Sequence, residues 1–206
     1  SAPPVTKKKF PTRQATKMVG EIGTLLIGLS LAVALYAAYA AWRSIQLSAV
    51  PTSAAQGKTW LQSAQNATYA LAALLGVALL VLLLAFLTDH FEISYVAQHS
   101  STMIPVYLKI SAVWAGQEGS LLLWCALQAL FAALATGRAS ERARPLVPWA
   151  MVFLSLITAF FVAVTLFLSP LFTLLSQVPA DGRGLNPLLR HPGMIFHPPA
   201  LYVGYV

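Results

Sequence analysis

Residues 67–88 read ATYALAALLGVALLVLLLAFLT, twenty-two positions without a charge. A helix of that length, rising 1.5 Å per residue, covers the roughly 30 Å hydrocarbon core of a bilayer. With no water there to satisfy backbone N–H and C=O groups, the run must bond to itself as a helix. Working outward, Ile22–Trp42 and Val147–Leu168 are two more charge-free runs of spanning length. A fourth run, over 115–136, has Leu121–Thr136 as its apolar body, with Ala112–Trp114 and the interfacial Trp124 extending it. The pattern predicts an all-α, multi-pass transmembrane bundle of four spans, near 22–42, 67–88, 115–136 and 147–168. A fifth starts near Pro199. Eight residues cannot complete a span, so the chain reads as a fragment or one piece of a split protein.

Composition agrees. The 206 residues are 58% hydrophobic and 9% charged, with a mean hydropathy of +0.71, whereas a soluble domain is about one-quarter charged. The net charge of +7 sits mostly at Lys7, Lys8, Lys9, Arg13 and Lys17, and at Arg138, Arg142 and Arg144. Basic residues flanking apolar runs set membrane orientation, so nucleic acid is not the implied partner. Residues 1–17 read as a basic extension, flexible ahead of the first span and unlike a cleaved signal; 18–206 form the transmembrane region. Cys125 is the only cysteine, which excludes an intrachain disulfide. Without C-x-x-C-H the chain does not itself carry haem by that motif.

Helix parity puts the segment after the second span (Asp89 to about Ser120) and the one after the fourth (Ser169 onward) on one side. They hold every histidine: His90, His99, His191 and His197. The opposite loops carry Arg43, Lys58, Arg138, Arg142 and Arg144, against Lys109, Arg183 and Arg190 on the histidine side. That places the histidines outside. The basic extension, on the histidine side, argues the other way. Asp89 and Glu92 around His90 resemble a metal site but read more simply as an interfacial cap.

In Phe196-His197-Pro198-Pro199, a proline after His197 disfavours the helical region and predicts an extended residue. Pro199 suits a first helical turn. His197 is then expected at the mouth of a membrane helix, whose dipole favours neutral imidazole. Phe196, Tyr202 and Tyr205 add aromatic surface. An anchor at a helix end and a ligand for haem iron both fit this spacing. Upstream, DGRGLNPLLRHPG (Asp181–Gly193) reads as an ordered loop in which Arg183 and Arg190 can meet carboxylates, haem propionates among them, or simply solvent and headgroups. In VWAGQEGSLLLW (Val113–Trp124), Ser120 suits an N-cap and Glu118 suits the helix N-terminus. Trp114 and Trp124 suit either an aromatic belt or a face for a flat ligand.

WAGQEGSLLLW and DGRGLNPLLRHPGMIFHPPALYVGYV, with EIG at Glu21–Gly23, ISYVAQHSS and PVYLKISAVW, resemble the CcmF-type haem lyases of cytochrome c maturation. The resemblance covers Met18 to Val206 and corresponds to that family's amino-terminal part. It implies haem handling on the periplasmic side of a bacterial inner membrane, or in mitochondria the intermembrane-space side of the inner membrane. Haem arrives from a haem chaperone and is attached to the C-x-x-C-H thiols of apocytochrome c. His197 matches an axial ligand to haem iron, and Trp114, Trp124, Arg183 and Glu118 are the further cofactor-binding candidates. The cofactor implied is haem b. Implied partners are haem, the chaperone, apocytochrome c, and other maturation membrane proteins or the carboxyl-terminal part of the same lyase. The family's tryptophan-rich segment, its second periplasmic histidine and the histidines holding its intramembrane haem b are not in this sequence. Gln117 stands where many relatives carry histidine. A haem-delivery protein without lyase activity and an accessory subunit of a respiratory complex are the competing readings.

Overall fold

The computed structural model describes residues 13–206, apart from the side chains of 13–16 and of Met194. Most of the basic extension, residues 1–12, lies outside the described residues. Arg13 and Lys17 do not belong to a flexible lead-in: helix α1 (Arg13–Ser48) already contains them, and Lys17 pairs with Glu21 at 3.6 Å, one turn on.

After α1 a 3-10 turn, Pro51–Ser53, reverses the chain into α2 (Ala54–Leu87). Two short helices follow, α3 (Ser94–His99) and α4 (Val106–Ala112), and then α5 (Gln117–Gly137). A 3-10 turn at Arg144–Leu146 leads to α6 (Val147–Ala163), which widens into a π-helix at Val164–Leu168. A third 3-10 turn, Pro187–Arg190, precedes α7 (Pro192–Tyr205). Four of these helices are long and apolar enough to cross a membrane. They close a ring in which α1 packs on α2 and α6, α2 on α5, and α5 on α6. Ala34, Ala78 and Ala129, all fully buried, let the backbones approach where lipid supplies no hydrophobic drive. Leu71, Leu75, Leu82, Leu122 and Val162 fill the centre.

The helices outrun the apolar runs. At 34 residues, α2 is about 51 Å long, well over the hydrocarbon thickness. In its first turns (Gln56–Asn66) the good helix formers Gln56, Lys58, Leu61, Gln62, Ala64 and Gln65 keep the helix going beyond the charge-free run. The third span is shorter at its start than the sequence suggests. Ala112 closes α4, Val113–Gly116 form a turn, and the spanning helix begins at Gln117. Its cap is Gly116, not Ser120. Ser120 lies inside the helix and donates to the Trp114 carbonyl at 3.0 Å. The last helix starts at Pro192, seven residues before Pro199, so His197 is helical rather than extended. Proline's effect on its predecessor is a preference; here Pro198 and Pro199 sit inside the helix and withdraw two N–H donors from its ladder.

Candidate functional site

Between α2 and α5 the chain folds into a compact cap. Asp89 follows α2 with φ of 59°, a left-handed conformation that aspartate tolerates better than most residues, and this turns the chain back. Its carboxylate pairs with Lys109 of α4, both side chains buried. The sequence grouped Asp89 with His90 and Glu92; the structure adds Lys109 as a partner of its carboxylate. Among the described residues, no three His, Cys, Asp or Glu side chains form a metal-sized group. His90 is buried, and desolvation holds its pKa below the ordinary value although Glu92 and Asp89 push the other way.

The α3 helix holds the start of α5. Gly116 has no side-chain cap of its own; instead its N–H donates to the Tyr95 hydroxyl at 2.9 Å, which in turn donates to the Val113 carbonyl at 3.1 Å. Burial raises the Tyr95 pKa far above the ordinary phenol value, which keeps the hydroxyl protonated. His99 stacks on Tyr95 with ring centroids 4.5 Å apart. Its Nδ1 lies 2.9 Å from the Tyr95 carbonyl oxygen, a partner that requires Nδ1 to donate. Glycine at 119 is obligatory, because a Cβ would collide with the Val113 carbonyl oxygen.

The segment after α6 is stitched onto this cap, so the two histidine-bearing segments do lie together. Ser94 N–H donates to Thr173 O and Leu175 N–H to Glu92 O, each at 2.8 Å. Lower down, the N–H groups of Arg183 and Gly184 donate to Ala97 O and Ser100 O at 2.8 and 2.9 Å. Asp181 accepts from the Thr102 N–H at 2.8 Å and hydroxyl at 3.0 Å, and from the Gly182 N–H at 2.8 Å. Desolvation alone would raise its pKa. These donors, with Lys109 nearby, outweigh it and hold the carboxyl low.

Of the candidate residues, Trp124 stands on a groove of about 360 Å³ between α5, α6 and α7, lined also by Gln117, Ser120, Leu121, Phe161 and Tyr202. Its ring packs on Phe161 at 4.3 Å. Tyr202 lines this groove, half-buried, while Tyr205, one turn on, is exposed and does not line it. His197 lies five residues before Tyr202 on the outer side of the helix; it is exposed and has no hydrogen-bond partner among the described residues. It is not the residue at the helix mouth. His191 is, and its Nδ1 accepts from Gly193 N–H at 3.1 Å, which leaves the ring's proton on Nε2. Glu118 is half-buried in the first turn of α5. Trp114 buries its indole N–H without an acceptor. Arg183 is not part of the groove; it lines a separate polar hollow of about 280 Å³ with Ser94, Gln98, Gln177 and Asp181. Arg190 is turned back, donating from Nε to Leu185 O at 3.1 Å. Sequence reasoning missed the roles of Tyr95, His99 and Lys109. Only the quoted motifs ISYVAQHSS and PVYLKISAVW mark their neighbourhood.

The family described as "Cytochrome C assembly protein" matches residues 114–206, the span from Trp114 through the groove to α7. CcmF of Haemophilus influenzae, a cytochrome c-type biogenesis protein, is 36% identical over 192 residues, 92% of this chain and 28% of that protein. The chain belongs to the cytochrome c assembly family. The probable cytochrome c-type biogenesis protein NrfE of Escherichia coli K12 is 44% identical over 133 residues, 65% of this chain and 24% of its own length. The solved structure of a cytochrome c haem lyase CcmF superposes with a TM-score of 0.72 at 25% identity, covering all of this chain and 30% of that one. The chain thus spans about three-tenths or less of the relatives it matches. With bacterial CcmF relatives and four helices able to cross a membrane, this family member is a multi-pass protein of the inner membrane.

Proposed function

We propose that this chain handles haem b as part of the lyase that attaches haem to the C-x-x-C-H thiols of apocytochrome c, on the periplasmic face of the bacterial inner membrane. The observation that carries the reading is His197: an exposed imidazole with no hydrogen-bond partner among the described residues. It sits on the helix whose Tyr202 closes the Trp124 groove. An imidazole with a nitrogen to spare is the usual protein ligand of haem iron. His191, whose Nδ1 is already an acceptor, is less suited.

The other residues fit a porphyrin in separable ways. Trp124 and Tyr202 offer aromatic faces, and the acceptorless Trp114 N–H suits a carboxylate or carbonyl oxygen. Arg183, on its separate hollow, offers a cation to a propionate, and Glu118, half-buried in the first turn of α5, offers a carboxylate to a partner. Haem supplies the iron and the reactive periphery; the residues here bind, orient and shield it. The thiols are those of apocytochrome c. The partners on this reading are a haem chaperone, apocytochrome c, and other maturation membrane proteins or the rest of the same lyase.

Replacing His197 by alanine in the full membrane assembly should leave protein level unchanged, because the side chain is exposed, while the haem content and Soret absorbance of the outward-facing site are lost. An unchanged spectrum and haem content would overturn the assignment.

A further inference from the structure

The cap carries an apolar stripe that the haem reading leaves unused. On the turn before α4 Met103 is 86% exposed, and on the helix Val106, Tyr107 and Ile110 are 62%, 59% and 39% exposed. On the helix, Val106, Tyr107 and Ile110, at spacings of one and three to four, share one side, and Met103 is exposed just ahead of them. The other side, Leu108, Lys109, Ser111 and Ala112, is buried in the protein. This is an amphipathic helix with its polarity reversed: the polar and charged positions face in, and the exposed side is apolar.

We infer that this stripe is a lipid contact, with α4 lying half-sunk at the boundary between headgroups and acyl chains on the histidine side of the membrane. Three observations select lipid over a protein partner. First, α4 packs against α2, whose own exposed residues Val77, Leu80 and Leu84 form the bilayer-facing side of a spanning helix. Second, residues 103–114 contain one charged residue, Lys109, and it is turned inward onto Asp89. The exposed side of α4 itself therefore presents no charge, whereas the rim of a water-bounded protein interface is polar. Third, Tyr107 projects its ring outward with its hydroxyl unpartnered among the described residues, the placement tyrosine adopts at headgroup level. The Asp89–Lys109 pair gains a purpose from this. A lone buried ammonium beneath a lipid-facing helix would be expensive, and the carboxylate neutralises it.

The full chain in proteoliposomes, labelled with an environment-sensitive fluorophore at Met103→Cys, Tyr107→Cys or Gln98→Cys, tests this. Cys125 is buried and does not compete for label. Lipid bearing a nitroxide near the head of its acyl chain should quench the probes at 103 and 107 severalfold more than aqueous iodide does. The exposed Gln98 position should show the reverse. Iodide quenching at 103 and 107 equal to that at 98 would place the stripe in water, and protection from both quenchers would mean that protein covers it. Either result overturns the inference. Elution of each labelled protein at the parent's volume in detergent shows that the fold is kept, and these side chains are exposed enough to be replaced without disturbing it.

Discussion

Two stretches at the same end of the molecule each carry two histidines, and they use them differently. In the cap, from Asp89 to Gly116, His90 is buried and His99 is locked between a ring and a carbonyl. On α7, His191 caps the helix and His197 is exposed without a hydrogen bond among the described residues. An imidazole whose hydrogen bonds are already made stabilises what surrounds it. One that is exposed on a helix can bind something. The contrast teaches that histidine count and sidedness do not nominate a ligand; the bonds already made do.

The sharpest way to break this contrast is to attack the cap. Lys109→Met removes the ammonium that faces the buried Asp89 carboxylate. Such a loss costs about 3–5 kcal/mol and should appear as a large drop in thermal midpoint, followed by tryptophan fluorescence in detergent. Adding Asp89→Asn should recover most of it; if the single variant melts like the parent, the cap is not held by this pair. Tyr95→Phe removes a hydroxyl that serves Gly116 and Val113 at once. About 1–3 kcal/mol is expected from the stranded buried groups, with faster amide exchange confined to the first turn of α5. Uniform exchange throughout would show that Tyr95 does not position that turn.

A smaller effect comes from pH. Burial lowers the His90 pKa, so the native state resists the proton that the unfolded chain accepts. The stability this imidazole contributes is complete above its unfolded pKa of about 6.5 and is lost as pH falls from there toward the lowered folded value. The thermal midpoint should decline from pH 7.5 to 5.5, and His90→Gln should flatten that decline. The smallest expected stability effect is at Glu118. Its interaction with the α5 dipole is worth roughly 0.3–1 kcal/mol, so Glu118→Gln should barely move the midpoint. If the residue steers a haem-bearing partner, holocytochrome yield falls nonetheless at normal protein level. A yield equal to the parent's makes Glu118 only a favourable first-turn charge.

The four spanning helices were legible because the bilayer demands long charge-free runs, and four of them leave little choice of architecture. Parity then put every histidine at one end, and the stitched segments bear that out. The quoted motifs pointed to the family that the comparisons established. Boundaries were not legible: nothing in the apolar runs says that Gln56–Asn66 continues a helix, or that Pro198 and Pro199 lie within one rather than at its start. The pairing of Asp89 with Lys109, twenty residues on, and the grip of Tyr95 and His99 on Gly116 depend on three short segments folding back on each other. Local spacing carries no trace of such contacts. The sequence by itself determined what the membrane enforces, four spans and so the alternation of the segments between them, since burial in lipid is a property of each run taken alone. Only the tertiary structure decided which histidines are already bonded, because a hydrogen-bond partner is set by proximity in space.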